Sequence, residues 1–126
     1  MIRFLYNKMK KILLIITNNK TRQLYHEIFF SKGIEAIPMA ELSISMVLMT
    51  LNKFDLAILD ADQNPLETEI FLRLRQEHNS LSKTKLVILT KNINFNPQIN
   101  KNDILINTSK ISTEIIVKQI ENKCGI

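Results

Sequence analysis

Three stretches of this chain are unbroken apolar runs that stop on a polar side chain: Lys11 to Thr17 (KILLIIT), Asp55 to Asp60 (DLAILD) and Lys85 to Thr90 (KLVILT). None of them alternates apolar with polar residues. A strand wetted on one face must alternate, so these runs belong to strands covered on both faces, the situation of a parallel sheet. Parallel neighbours need long crossover connections, and the intervening segments supply them. Asn18 and Asn19 are suited to cap a helix in which Leu24, Tyr25, Ile28 and Phe29 recur at helical spacing until Gly33 stops it. Ile34 to Met39 reads as a second strand, and Pro38, which removes a ladder donor, favours an edge position for it. Glu41 to Leu51 is a second helix, with Met46 and Met49 as core filler. After the turn Gln63-Asn64-Pro65, the residues Leu66, Ile70, Phe71 and Leu74 line one face of a third helix. Glu67, Glu69, Arg73 and Arg75 then fall on its solvent side.

The regularity breaks between residues 91 and 103. This stretch, KNINFNPQINKND, is rich in asparagine, contains Pro97 and has no helical stripe, so it reads as loop with at most one helical turn. Ile104 to Asn107 is a short fifth strand. Ser112 caps a last helix in which Ile115, Ile116 and Ile120 pack inward, ending near Lys123. The expected fold class is α/β, a doubly wound five-stranded parallel sheet with right-handed crossovers, its fourth helix shortened or absent. The 126 residues suffice for one domain. Met9 opens the phrase MKKILLI, which sets the expected domain at residues 9–126 and leaves 1–8 as an N-terminal extension.

Composition excludes several classes. The single cysteine, Cys124, permits neither an internal disulfide nor a cysteine-based zinc cluster and suits the cytoplasm, the expected compartment. The basic opening segment precedes an apolar run too short for a signal peptide, and no stretch approaches the roughly 20 apolar residues of a membrane span. The net charge of +5 is spread from Arg3 to Lys123. Such scatter reads as a solvated surface rather than a nucleic-acid face, and no recognised nucleic-acid motif accompanies it. His26 and His78 stand far apart and suggest no catalytic or metal pair.

In a doubly wound sheet, polar chemistry gathers at the carboxyl ends of the strands. The candidates there are Thr17 and Asn18, Asp60 with Asp62, and Thr90. In their order these features resemble the receiver domains of bacterial two-component signalling, including chemotaxis regulators. The resemblance rests on the strand-helix-Gly33-Ile34-Glu35 opening, FDLAILD ending on Asp60, the Arg-containing helix after it, and LVILT ending on Thr90. It implies a flavodoxin-like topology, Asp60 in the place of the phosphoacceptor and Thr90 in the place of the switch hydroxyl. It also exposes departures. The family's acidic pair, which holds magnesium, corresponds to the neutral Thr17 and Asn18. Its lysine at the end of the fifth strand corresponds to Asn107, with Lys110 the nearest substitute. Magnesium wants hard carboxylate oxygens, and Asp60 with Asp62 alone would form a weak metal site.

The expectation is therefore a receiver-like signalling module of the phosphorelay type: a pseudo-receiver acting by protein–protein interaction, with little or no phosphorylation at Asp60. It is no enzyme, needs no cofactor, and has a signalling protein or a histidine kinase as partner. Two alternatives compete with it. One is a working phosphoacceptor that receives its phosphoryl group on Asp60 from a histidine kinase. The other is a haloacid-dehalogenase-like phosphatase, suggested by Asp60-Ala61-Asp62 after an apolar strand. In that family the paired aspartates lie on the first strand, whereas here two strands and two helices precede them.

Overall fold

The computed structural model describes residues 11–126; the expected extension at residues 1–8 and a domain start at Met9 lie outside them. The apolar runs become strands β1 (Lys11–Ile15), β3 (Leu56–Asp60) and β4 (Lys85–Thr90), and they are buried almost throughout. Two shorter strands flank them, β2 (Glu35–Met39) and β5 (Ile104–Asn107). All pairings are parallel and the order is β2-β1-β3-β4-β5. β2 lies at an edge, where Pro38 withholds no hydrogen bond that a further strand would need. The sheet is thus the expected five-stranded parallel α/β arrangement.

Two apolar clusters sandwich the sheet. On one face α1 (Asn19–Ser31) and α5 (Thr113–Cys124) bring Tyr25, Phe29, Ile116, Val117 and Ile120 against Ile12, Leu14, Ile58 and Val87. On the other, α2 (Leu42–Leu51) and α3 (Pro65–Glu77) bring Met49, Phe71 and Leu72 against Leu13, Ala57, Leu86 and Ile88. The caps at Asn18 and Ser112 follow the sequence, and Asn64, read there as a turn residue, adds a third: each side chain accepts an amide of the first helical turn. Gly33 adopts φ 75°, a left-handed conformation that releases the chain from α1 into β2.

The helix faces depart from expectation. In α3, Leu66 (68% exposed) and Ile70 face solvent, while Thr68, Phe71, Leu72 and Arg75 (1% exposed) face inward. The buried set still keeps helical spacing, but half of it is polar. Arg75 is tolerated because both terminal nitrogens bond Asp103: Nη2 donates to Oδ1 at 2.8 Å and Nη1 to Oδ2. Nη2 also donates to the Thr84 carbonyl at 2.7 Å. Leu24 and Ile115, expected inside, are likewise exposed on α1 and α5.

No helix forms between β4 and β5. Phe95 and Ile99 from that loop pack onto the second apolar cluster, and the Asp103 carboxylate pins its far end through Arg75 and the amides of Leu86 and Asn100. A short turn, α4 (Asn79–Ser82), which the sequence did not suggest, instead follows α3 and buries Leu81. Among the described residues no helix is long and apolar enough to cross a membrane.

Candidate functional site

Parallel strands deliver Thr17, Asp60 and Thr90 to one edge, because register pairs Ile15 with Leu59 and Asp60 with Leu89. Asp60 borders two cavities there. The larger, about 680 Å³, runs between α1 and α5 and is lined by Asn18, Tyr25, Lys91 and Lys110 among others. The smaller, about 230 Å³, lies on the α2 side and includes Thr17, Glu41 and Asn64.

The Asp60 carboxyl is half-buried, and its Oδ1 accepts the Asp62 amide at 3.1 Å. Burial raises its pKa above the ordinary carboxylate value; the amide bond opposes this, the Asp62 charge adds to it and Lys91 opposes it. Among the described residues Lys91 is therefore the cation whose charge acts on Asp60, and it went unnoticed in the sequence because it lies in the irregular segment. Lys110, held at φ 63°, lines the same cavity. Asn107 turns to its own loop, where Oδ1 accepts the Ser109 amide at 2.9 Å.

Tyr25 lines the same cavity. Its pKa is pushed well up, first by burial and then by the Asp60 charge, so the side chain is a neutral phenol at any physiological pH.

At the end of β1 the residues serve structure. Asn18 is the N-cap of α1: Oδ1 accepts the Thr21 amide at 2.9 Å, and its own amide donates to Gln63 Oε1 at 2.7 Å. Thr17 Oγ1 donates to the Ala40 carbonyl at 3.2 Å. Arg22 folds back over the strand end and donates from Nη1 to the carbonyls of Ile16 (2.8 Å) and Thr17 (3.0 Å). A guanidinium on those carbonyls, beside two neutral side chains, opposes a second cation.

Asp62, expected as half of a weak metal site, is engaged elsewhere. Its carboxylate accepts Thr90 Oγ1 at 2.6 Å and the Lys91 amide at 2.7 Å. Among the described residues no cluster of three or more carboxylate, imidazole or thiol groups could hold a metal ion. With Asp62 committed to Thr90 and Lys91 and only the neutral Thr17 and Asn18 at the β1 end, the donor set beside Asp60 fits magnesium poorly, since such sites are built on hard carboxylate oxygens.

By sequence, no family model and no curated protein matches the chain. Solved structures do match by shape. A CheY-like response-regulator receiver domain from Methylobacillus flagellatus superposes with a TM-score of 0.71 at 10% identity, covering 92% of this chain and 99% of that one. The receiver domain of a Pseudomonas aeruginosa sensor histidine kinase, which holds magnesium in its active-site cleft, gives 0.71 at 12% identity, covering 94% and 100%. The response regulator TrrA of Thermotoga maritima, in complex with Mg2+ and BeF, gives 0.68 at 19% identity, covering 91% and 99%. With its strand order, its crossovers and Asp60 at the carboxyl edge of the sheet, the chain has the fold of CheY-like response-regulator receiver domains.

Proposed function

We propose that this chain is a receiver-like signalling module of the two-component type, a cytoplasmic pseudo-receiver that works by binding another signalling protein with little or no phosphorylation at Asp60. The observation that carries this reading is the β1 end, where Thr17 and Asn18 are neutral and Arg22 lies on the carbonyls of residues 16 and 17. Phosphoryl transfer depends on a cation to neutralise charge that develops on the transferred group. Here the cation whose charge acts on Asp60 among the described residues is Lys91, a side-chain ammonium rather than a metal ion. A histidine kinase is the natural partner class, bound without transfer. The phosphatase alternative is disfavoured, because a general acid at Asp62 would have to leave its bonds to Thr90 and Lys91.

Incubation with acetyl phosphate and magnesium, followed by intact mass, tests this. The wild type is expected to gain no phosphoryl group. The double substitution Thr17→Asp/Asn18→Asp is expected to gain one, and Asp60→Asn removes it. Ready labelling of the wild type would make the chain a working phosphoacceptor instead.

A further inference from the structure

The carboxylate of Asp62 takes one hydrogen bond on each oxygen, and both donors come from adjacent residues at the end of β4. Bonds to an ionised acceptor are shorter and roughly twice as strong as neutral ones, and 2.6 and 2.7 Å agree with that class. The anchorage is passed on. Thr90 Oγ1 accepts the Asn92 amide at 3.0 Å, and the Thr90 carbonyl accepts the Thr108 amide at 2.8 Å. The Lys91 carbonyl accepts the Ser109 hydroxyl at 3.1 Å. One carboxylate therefore sets the start of the β4–β5 loop and, through it, the loop that leads from β5 to α5.

A hydroxyl and an amide aimed at one point form a seat for an anion, whichever anion fills it. Asp60, whose place resembles that of a phosphoacceptor, makes neither bond; its one hydrogen-bond donor among the described residues is the Asp62 amide. We propose that Asp62 is a built-in anion that occupies this seat, holding Thr90, Lys91 and both loops in the anion-bound arrangement without a phosphoryl group on Asp60. The inference deepens the pseudo-receiver reading and rests on it. A phosphoryl group arriving on Asp60 would find both donors already engaged.

Amide NMR of the full chain tests the proposal. In Asp62→Ala, the Lys91 and Asn92 amides are expected to exchange with solvent about tenfold faster, as for the loss of one net hydrogen bond. Inorganic phosphate at millimolar concentration is expected to shift the Lys91 amide in Asp62→Ala and to leave the wild type unmoved. Should that variant fail to fold, Asp62→Asn, which keeps the shape but turns a donor toward Lys91, and Thr90→Val, which removes the hydroxyl, read the same amides. Equal phosphate shifts in wild type and variant, or unchanged exchange in all variants, would overturn the inference. Acetyl phosphate labelling of Asp60 in the same wild-type sample would sink the pseudo-receiver reading alone, because seat occupancy is read separately at Lys91.

Discussion

Asp103 closes the β4–β5 loop with its carboxylate fully buried against the Arg75 guanidinium and bonded to two backbone amides. Asp60, at the end of β3, is half-buried, with one amide bond and a pKa raised by its surroundings. The two lie at opposite ends of the sheet and divide the work of charge in this molecule. Where a carboxylate is fully paired, removing it unpairs another buried charge, and it acts as architecture. Where it is left short of partners beside a cavity, burial costs stability, and the group stays available to a ligand or partner. The Asp103 clamp also explains how the chain dispenses with a helix between β4 and β5. It holds Phe95 and Ile99 over apolar surface that would otherwise meet water.

The largest effect is expected at the clamp. Arg75→Ala or Asp103→Ala should lower the unfolding free energy by about 3–5 kcal/mol, since each leaves an uncompensated buried charge. That is a large share of the ~5–15 kcal/mol of an ordinary domain. The paired replacement Arg75→Met/Asp103→Leu should cost less than either single change in urea unfolding. Costs that simply add would show that the pair is not coupled, and the contrast with Asp60 would lose its basis.

A smaller effect separates cap from ligand at the other end. Asn18→Ala should cost about 1 kcal/mol through the lost N-cap, whereas Asn18→Asp keeps the cap and should be nearly neutral. Equal losses for both in the same unfolding series would mean that Asn18 stabilises the chain by something other than capping.

The smallest effect belongs to Asp60 itself. Its folded pKa is raised, so the folded state binds more protons than the unfolded state through the window between the two pKa values. The wild type should therefore lose stability as pH climbs from the unfolded carboxylate pKa, about 3.9, through the raised folded value. Asp60→Asn lacks this loss. Its melting temperature should exceed that of the wild type at neutral pH and converge with it in acid. Parallel melting curves across that range would show that burial does not govern this carboxyl.

Much of the architecture was legible because it is local. The three apolar runs, the caps at Asn18 and Ser112, Gly33 and the irregular 91–103 segment each state their role within a few residues. The α3 face was misread for an instructive reason. Leu66, Ile70 and Leu74 make an apolar stripe, but the buried stripe is Thr68, Phe71, Leu72 and Arg75. A binary pattern assigns arginine to solvent, and nothing near Arg75 in the chain announces a partner 28 residues later. The site divides in the same way. Asp60 and Thr90 are visible as polar ends of apolar strands, and the neutral pair Thr17 and Asn18 is visible as a departure. The fold-back of Arg22, the field of Lys91 and the engagement of Asp62 by Thr90 depend on side chains brought together by tertiary packing.

By itself the sequence determined the sheet, its order of alternating elements and the edge where its polar residues gather, since period, run length and capping act over a few neighbouring residues. Tertiary structure alone decided which charges are satisfied. Asp103 and Asp62 carry the same functional group as Asp60, and only donors delivered from distant strands and loops make the first a clamp, the second a filled anion seat and the third a carboxyl open to its cavity.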